Sequence, residues 1–457
     1  LPFHKTGNGW QRNGNASQIG PTEPLLFERN DEKNLTFNSH LQLSLQLTHN
    51  LHLAALGSYS YTSTENGRFA PTWVWAQGLA YRGERKTEDI LGNISLDWKY
   101  RWGINKLSTT ILAEYQKKKI AAFWTQVKGL TNNYFGYDNL GAASDRPYGG
   151  TGSSYADPSL TSFMGTLTYT LLDRYTLNLT TRADGSSMVG KDHTWGFFPS
   201  ISATWDMKKE SFLRNNKSIS LLNLRTGYGR SGNLGGISSY LTLRQYIPVG
   251  LISYNGTPTV TMGTLRNSNP DLRWETRSTF NIGTDLGLFN NRLLLTAEYY
   301  YSKTTDMLYE YDVPVPTFAF DKLLANIGSM SNSGFELGIG VVPISKKDME
   351  LNVNVNMAWQ KNKLLSLNGK HNGRQMTASE ITPIGGMNGA GFHGGYNDII
   401  YQIVGQPLGV FYLPHCKGIV DNGHGHNKYD IADLNNDNVI DLSDHGDRYI
   451  AGQATPK

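Results

Sequence analysis

The residues best placed for chemistry lie near the C-terminus, in Asp433-Leu434-Asn435-Asn436-Asp437-Asn438-Val439-Ile440-Asp441-Leu442-Ser443-Asp444. Hard oxygen donors at positions 1, 3 and 5 of a twelve-residue loop wrap a calcium ion, with a carbonyl at 7, a water-mediated group at 9 and a closing carboxylate at 12. Asp433, Asn435, Asp437, Val439, Asp441 and Asp444 hold those positions. Asn438 stands where glycine is preferred but tolerates the positive φ of the turn, and Asp444 replaces the usual bidentate glutamate, which weakens binding. The expectation is a structural calcium; the alternative is a solvated acidic turn. His415, Cys416, His424, His426 and His445 crowd the same region without the i, i+4 helical spacing of a zinc enzyme, so they read as loop residues.

Gly227-Tyr228-Gly229-Arg230-Ser231-Gly232 matches G-x-G-x-x-G. A dinucleotide site needs a helix to open there, and Asn233-Leu234-Gly235-Gly236 does not favour one. A strand running into a loop is the expectation instead. There is no G-x-S-x-G and no local triad, so no enzyme is expected. The small net charge of +4 is dispersed, which leaves no nucleic-acid footprint. The single Cys416 excludes an internal disulfide.

The elements that must position any site are strands. In Leu272–Lys303 the apolar residues Leu272, Trp274, Phe280, Ile282, Leu286 and Leu288 alternate with Arg273, Glu275, Arg277, Asn281 and Asp285. Phe289-Asn290-Asn291 then turns the chain into a second alternating run. Roughly 17 such residues at about 3.3 Å each exceed what a soluble sheet needs and suffice to cross a bilayer. A mean hydropathy of −0.42 is compatible with this, because alternation averages hydropathy away.

The same grammar runs from Leu35 through Trp359, giving about 12 strands. Leu1–Asn34 reads as a loop, and Glu210–Leu213 as a short helix. Short turns alternate with long connections of about 24 residues after Ser63, nearly 40 after Ile120, about 40 after Arg230 and about 25 after Thr305, the asymmetry of outer-membrane barrels. Trp98, Tyr100, Trp195, Trp205 and Tyr299 to Tyr301 fit interfacial aromatic girdles. Asn352, Asn354 and Asn356 make a polar row suited to a wet lumen. The expected fold is all-β, an antiparallel transmembrane β-barrel. Sugar-stacking aromatics are sought in Phe69–Tyr81 and Tyr134–Tyr148, with loop anchoring as their alternative role.

Five stretches carry a family resemblance: Arg182–Trp205 (RADGSSMVGKDHTWGFFPSISATW), Leu224–Asn233 (LRTGYGRSGN), Asn269–Leu293 (NPDLRWETRSTFNIGTDLGLFNNRL), Asn326–Leu337 (NIGSMSNSGFEL) and Asp433–Asp444 (DLNNDNVIDLSD). The chain resembles the SusC/RagA family of TonB-linked outer-membrane proteins of Bacteroidetes. That resemblance implies a 22-stranded barrel with an N-terminal plug, a SusD-like surface lipoprotein as lid, glycan or peptide ligands, and energy from TonB, ExbB and ExbD. It also implies that residues 1–457 are a barrel domain truncated at both ends, without plug or TonB box and not transport-competent alone. The alternatives are a passive porin-like channel and a soluble β-rich carbohydrate-binding protein. Which residues touch the ligand is left open.

Overall fold

The computed structural model describes residues 5–6, 9–10, 22–75, 77–147, 149–371, 374–377, 379–388, 396–421, 427–443 and 446–453. Its body is one sheet of long antiparallel strands: β1 (Arg29–Thr48), β2 (Leu51–Ala70), β3 (Leu79–Trp102), β4 (Asn105–Leu130), β5 (Ser159–Leu171) and β6 (Tyr175–Ser186). Then follow β7 (Trp195–Asp206), β8 (Ile219–Asn233), β9 (Glu275–Leu288), β10 (Leu293–Asp312), β11 (Lys322–Lys346) and β12 (Met349–Ser366). Each pairs with its neighbour in sequence, so the wall is an up-and-down meander. The expected strands are therefore present, and the G-x-G-x-x-G segment lies wholly inside β8. Two short strands, Ala143–Asp145 and Thr151–Ala156, add to the upper part of β4.

Several boundaries differ from the sequence reading. β1 starts at Arg29, preceded by a helix over Thr22–Phe27, because the charged residues 29–34 pair with Thr64–Phe69 of β2. Strands also run on where loops were expected: β2 and β3 continue to Ala70 and Leu79, since charge does not stop backbone pairing beyond the apolar band. The long connections shrink accordingly. Glu210–Leu213 is a turn after a 3-10 helix at Met207–Lys209; the Lys208 ammonium collects the carbonyls of Leu213, Arg214 and Asn216 at 3.0, 3.3 and 2.6 Å and curls the chain. β9 begins at Glu275, leaving Leu272 and Trp274 outside the strand. Pro343 sits in β11 at a register shift between Val341 and Ile344, where no ladder N–H is required.

The wall is one sheet thick. Its accessible surface, 28,930 Å², exceeds the about 17,000 Å² of a compact soluble protein of this mass. On the outward face Leu41, Leu43, Leu45, Ile94, Ile111 and Leu179 stand exposed. Stacked aromatics bound that apolar band at both levels. Near the short turns Trp98, Tyr100, Trp102 and Tyr169 form a row with centroids 5.6 to 6.4 Å apart, and Tyr175 stacks on Trp205. Toward the longer connections Phe37 meets Tyr59, Phe163 stacks on Trp195, and Phe335 on Trp359. Trp195 and Trp205 lie ten positions apart on β7, about 33 Å along the strand and roughly 25 Å after a tilt of about 40°, the height of a bilayer's apolar band. Tyr299 and Tyr301 belong to the upper belt; Tyr300 does not, and lies over Gly334 on the opposite face.

Residues beyond Ser366 leave the wall. They make a hairpin (Asn368–His371 with Arg374–Thr377), a second one (Cys416–Asp421 with Asn427–Ile431), and a four-stranded sheet of Ile381–Asn388, Tyr396–Ile403, Val410–Pro414 and Arg448–Gln453.

Candidate functional site

The face opposite the apolar band is largely polar, with Leu56, Leu91, Leu112 and Leu294 interspersed among its polar residues. Thr36, His40, Gln42 and Ser44 line it on β1, Asp89 and Asp97 on β3, and Asn354 and Asn356 on β12. Its best-defined point is Arg225 on β8, whose guanidinium grips Asp285 of β9 through two bonds of 2.8 and 3.1 Å and reaches Glu298 of β10 at 3.4 Å. The Asn281 amide donates to the same Glu298 at 3.2 Å. Glycine keeps the network clear at one point: a Cβ at Gly227 would come only 2.7 Å from the Asn281 side-chain oxygen. Gly227, the first glycine of the discounted motif, thus clears space beside a charge network.

A second network uses Arg182, which donates from Nε to both Asp184 oxygens at 2.8 and 3.0 Å and from a terminal nitrogen to Ser162 at 3.0 Å, with Glu114 at 3.6 Å. Asp184 and Ser162 are buried. The charges alternate in sign across the wall, so this face offers hydrogen-bonding partners to a polar solute without a net field of one sign.

Above these networks three sequence motifs meet. Leu272 is fully buried and packs with Val189, Ile237 and Leu241, against Trp274 and Leu308. The Gly190 N–H donates to the Leu272 carbonyl at 2.7 Å, and a Cβ on Gly190 would sit 1.9 Å from the Pro270 carbonyl oxygen. Asn326 locks to Arg273 in both directions, accepting its N–H at 2.9 Å and donating to its carbonyl at 2.8 Å. Asn269, also buried, donates to the Leu324 carbonyl at 2.8 Å. Trp274 packs edge-on to Phe198 and donates to the Thr194 carbonyl at 3.3 Å. This clasp ties the upper ends of β7, β9, β10 and β11 together.

At the lower end Glu210 accepts from Tyr175 at 2.6 Å, Trp205 at 3.1 Å and Arg174 at 3.0 Å, and the Tyr175 hydroxyl foremost holds its carboxyl below the usual range. The aromatic stretches divide in role. Tyr137 is buried against Ala80, Val127 and Ala143, with its hydroxyl on Asp31 and Arg29 over its ring, so it anchors a loop. Trp73, Trp75 and Tyr134 are exposed; Tyr148 lies outside the described residues.

In the acidic loop, Asp433 accepts backbone N–H groups from Asn436, Asp437 and Asn438, and Asn438 has φ +65°. Asn435 and Asp437 bond each other at 2.9 Å, and Asp437 also accepts the Val439 N–H. Asp441 takes both donors of Ser443, and the buried Asp447 caps Leu434 and Asp441; these bonds hold the carboxyls of Asp441 and Asp447 below the ordinary range. Among the described residues no three His, Cys, Asp or Glu side chains converge as a metal site. Asp444, His424, His426 and His445 lie outside them.

A single meander with an apolar outward face between two aromatic belts and a polar inward face is the wall of an outer-membrane β-barrel. The chain belongs to the TonB dependent receptor-like, beta-barrel family, whose model matches residues 2–413. It is 33% identical over 257 residues to TonB-dependent receptor P26 of Formosa agariphila, covering 56% of this chain and 26% of that protein. It is 31% identical over 381 residues to receptor P3 of the same organism, covering 80% and 37%. To TonB-dependent receptor SusC of Bacteroides thetaiotaomicron it is 36% identical over 220 residues, 46% of this chain and 21% of that one. The solved RagAB peptide transporter shares the fold, with TM-score 0.74 at 19% identity over 88% of this chain and 42% of that one. The chain thus spans 21 to 37% of the length of these three curated relatives. The family is one of transporters and receptors in the outer membrane rather than enzymes.

Sequence reasoning placed Asp285 on the wet face of its strand but assigned no role to it, and did not single out Arg225, Glu298, Arg182 or Asp184. The available signal was charge on the wet side of an alternating run with glycine on the neighbouring strand.

Proposed function

We propose that this chain is part of the wall of an active importer that takes up glycans or peptides with a SusD-like lipoprotein as lid and TonB, ExbB and ExbD as the source of energy. The observation that supports it is the largely polar inward face, whose Arg225 and Arg182 charges are tethered in balanced networks rather than presented as one sign, as a path for neutral or mixed-charge polymers requires. The clasped upper ends of β7 to β11 give a lid a firm seat.

The test is deletion of the encoding gene and growth on single glycans or on peptides as sole carbon source, in TonB-competent and TonB-deficient cells. Loss of growth on one substrate class, reproduced by TonB deficiency, is the expected result. Uptake that continues without TonB would make the protein a diffusion pore, and recovery of the protein in a soluble fraction would overturn the membrane reading.

Calcium at Asp433, Asn435, Asp437, Val439, Asp441 and Asp444 is a separate proposal, supported by the donor spacing and the positive φ of Asn438. Calcium that protects this loop from proteolysis, with chelator reversing the effect, is its expected outcome; equal cleavage in both would leave a backbone-capped acidic turn.

A further inference from the structure

We infer that the outward rim of β8 to β12 binds the phosphate groups of lipid headgroups in the leaflet on the side of the longer connections. The inference rests on the membrane reading above and concerns the lipid side of the wall, not the transport path.

Three upward-running strands repeat one pattern. An outward aromatic of the upper belt is followed two residues later, on the same face, by a cation: Tyr228 then Arg230, Tyr301 then Lys303, Trp359 then Lys361. Lys363 follows Lys361 on that face. The register aligns these cations. Arg230 pairs with Ser278, Ser278 with Lys303, Lys303 with Ser331, and Ser331 with Lys363, so cation and hydroxyl alternate over five strands. Four strand spacings of about 4.8 Å give this row a width of roughly 19 Å.

All four cations are exposed. The outward row above holds Gly232, Thr276 and Thr305, and the row below holds Tyr228, Phe280, Tyr301, Ser333 and Lys361; neither contains a carboxylate. Elsewhere on the wall the cations at this level are balanced, since Lys86 bonds Glu84 at 2.9 Å, Lys117 meets Asp157 at 3.4 Å and Lys119 faces Glu88 at 3.9 Å.

The position selects the occupant. Belt aromatics sit at the boundary between acyl chains and headgroups, and a long cationic side chain one step beyond them places its charge among the headgroups. A phosphate accepts charge-assisted bonds from ammonium and guanidinium groups and further bonds from serine hydroxyls. A soluble polyanion would have to displace lipid to reach the same face.

The test uses the full-length protein, extracted from outer membranes in mild detergent and exchanged against micelles containing diphosphorylated lipid A or its dephosphorylated counterpart. Bound lipid is counted by native mass spectrometry. Each cation is worth about fivefold in affinity, so R230Q/K303Q/K361Q/K363Q is expected to retain at least about tenfold less phosphorylated lipid. The control K86Q/K117Q/K119Q, which alters the balanced rim, should stay within about twofold of wild type. Equal retention by the quadruple variant, equal binding of the dephosphorylated lipid, or displacement of lipid by inorganic phosphate would each overturn the assignment. Recovery of both variants as heat-modifiable barrels in the outer membrane separates these outcomes from misfolding. Absence of the wild-type protein from that membrane would instead overturn the membrane reading and this inference with it.

Discussion

The rim of β1 to β4 and the rim of β8 to β12 occupy equivalent levels above the aromatic belt, yet they solve charge differently. In the first, strands run far past the belt and interleave acids with bases: Lys33 lies opposite Glu65 and Glu88 opposite Lys119. The loop carrying Tyr137 folds against them, and a cavity of 650 Å³ lined by Arg29, Asp31, Glu65, Arg82 and Glu84 remains. In the second, cations alternate with serines, and among the described residues no acid pairs with them. One rim is closed by its own pairs; the other keeps its charge for something outside the protein. The lesson is that a strand's outward face is apolar only across the membrane and that its composition above the belt is a separate choice.

Four sets of substitutions and one change of pH would break or sharpen this contrast. The largest effect belongs to the clasp that fixes the upper ends of β7 to β11. Leu272→Ala removes a fully buried side chain from the Val189, Ile237 and Leu241 cluster and should cost about 2–5 kcal/mol. It should be read as a lower temperature for the heat-modifiable mobility shift; an unchanged shift would mean that the clasp does not hold the rim. Next, Ser331→Glu places a carboxylate between Lys303 and Lys363. Phosphorylated-lipid retention should fall by about fivefold, giving this rim the character of the other.

The reverse change, Glu84→Gln with Glu88→Gln, frees Lys86 and Lys119 and should raise retention at the first rim by up to about fivefold. Acid should do the same. The Lys86 ammonium bonded to Glu84 holds that carboxyl below its ordinary value of 4.5, so the pairing is fully present above that value and lost as pH falls through the depressed one. Lipid retention by the first rim should therefore rise only below about pH 4.5, with the protein's part of the second rim unchanged because Lys and Arg do not titrate there. The smallest effect is Lys119→Gln alone, whose 3.9 Å pair is exposed; thermal stability should move by less than about 0.5 kcal/mol.

Much of the wall was legible in the sequence because period-two alternation is a local property. The hairpins around Thr48, Gly103, Leu172, Phe289 and Lys347 fall where turn residues interrupt alternating runs. Strand ends were less legible. Above the belt both faces are polar, so residues such as Arg29–Asn34 and Arg82–Asp89 show no amphipathic pattern although their backbones still pair. Leu272 and Trp274 misled in the opposite way, since their even spacing continued the lipid-facing row while the chain had already turned into the buried clasp.

The sequence alone determined a long-stranded antiparallel wall with one apolar and one wet face, and motifs specific enough to indicate its family, because side-chain alternation and turn chemistry act between neighbours in the chain. Only the tertiary structure decided which charges meet. Arg225 finds Asp285 and Glu298, Asn326 finds Arg273, and Arg230, Lys303 and Lys363 fall into one row through cross-strand register. That register is set by hydrogen bonding between strands distant in sequence, and no local pattern encodes it.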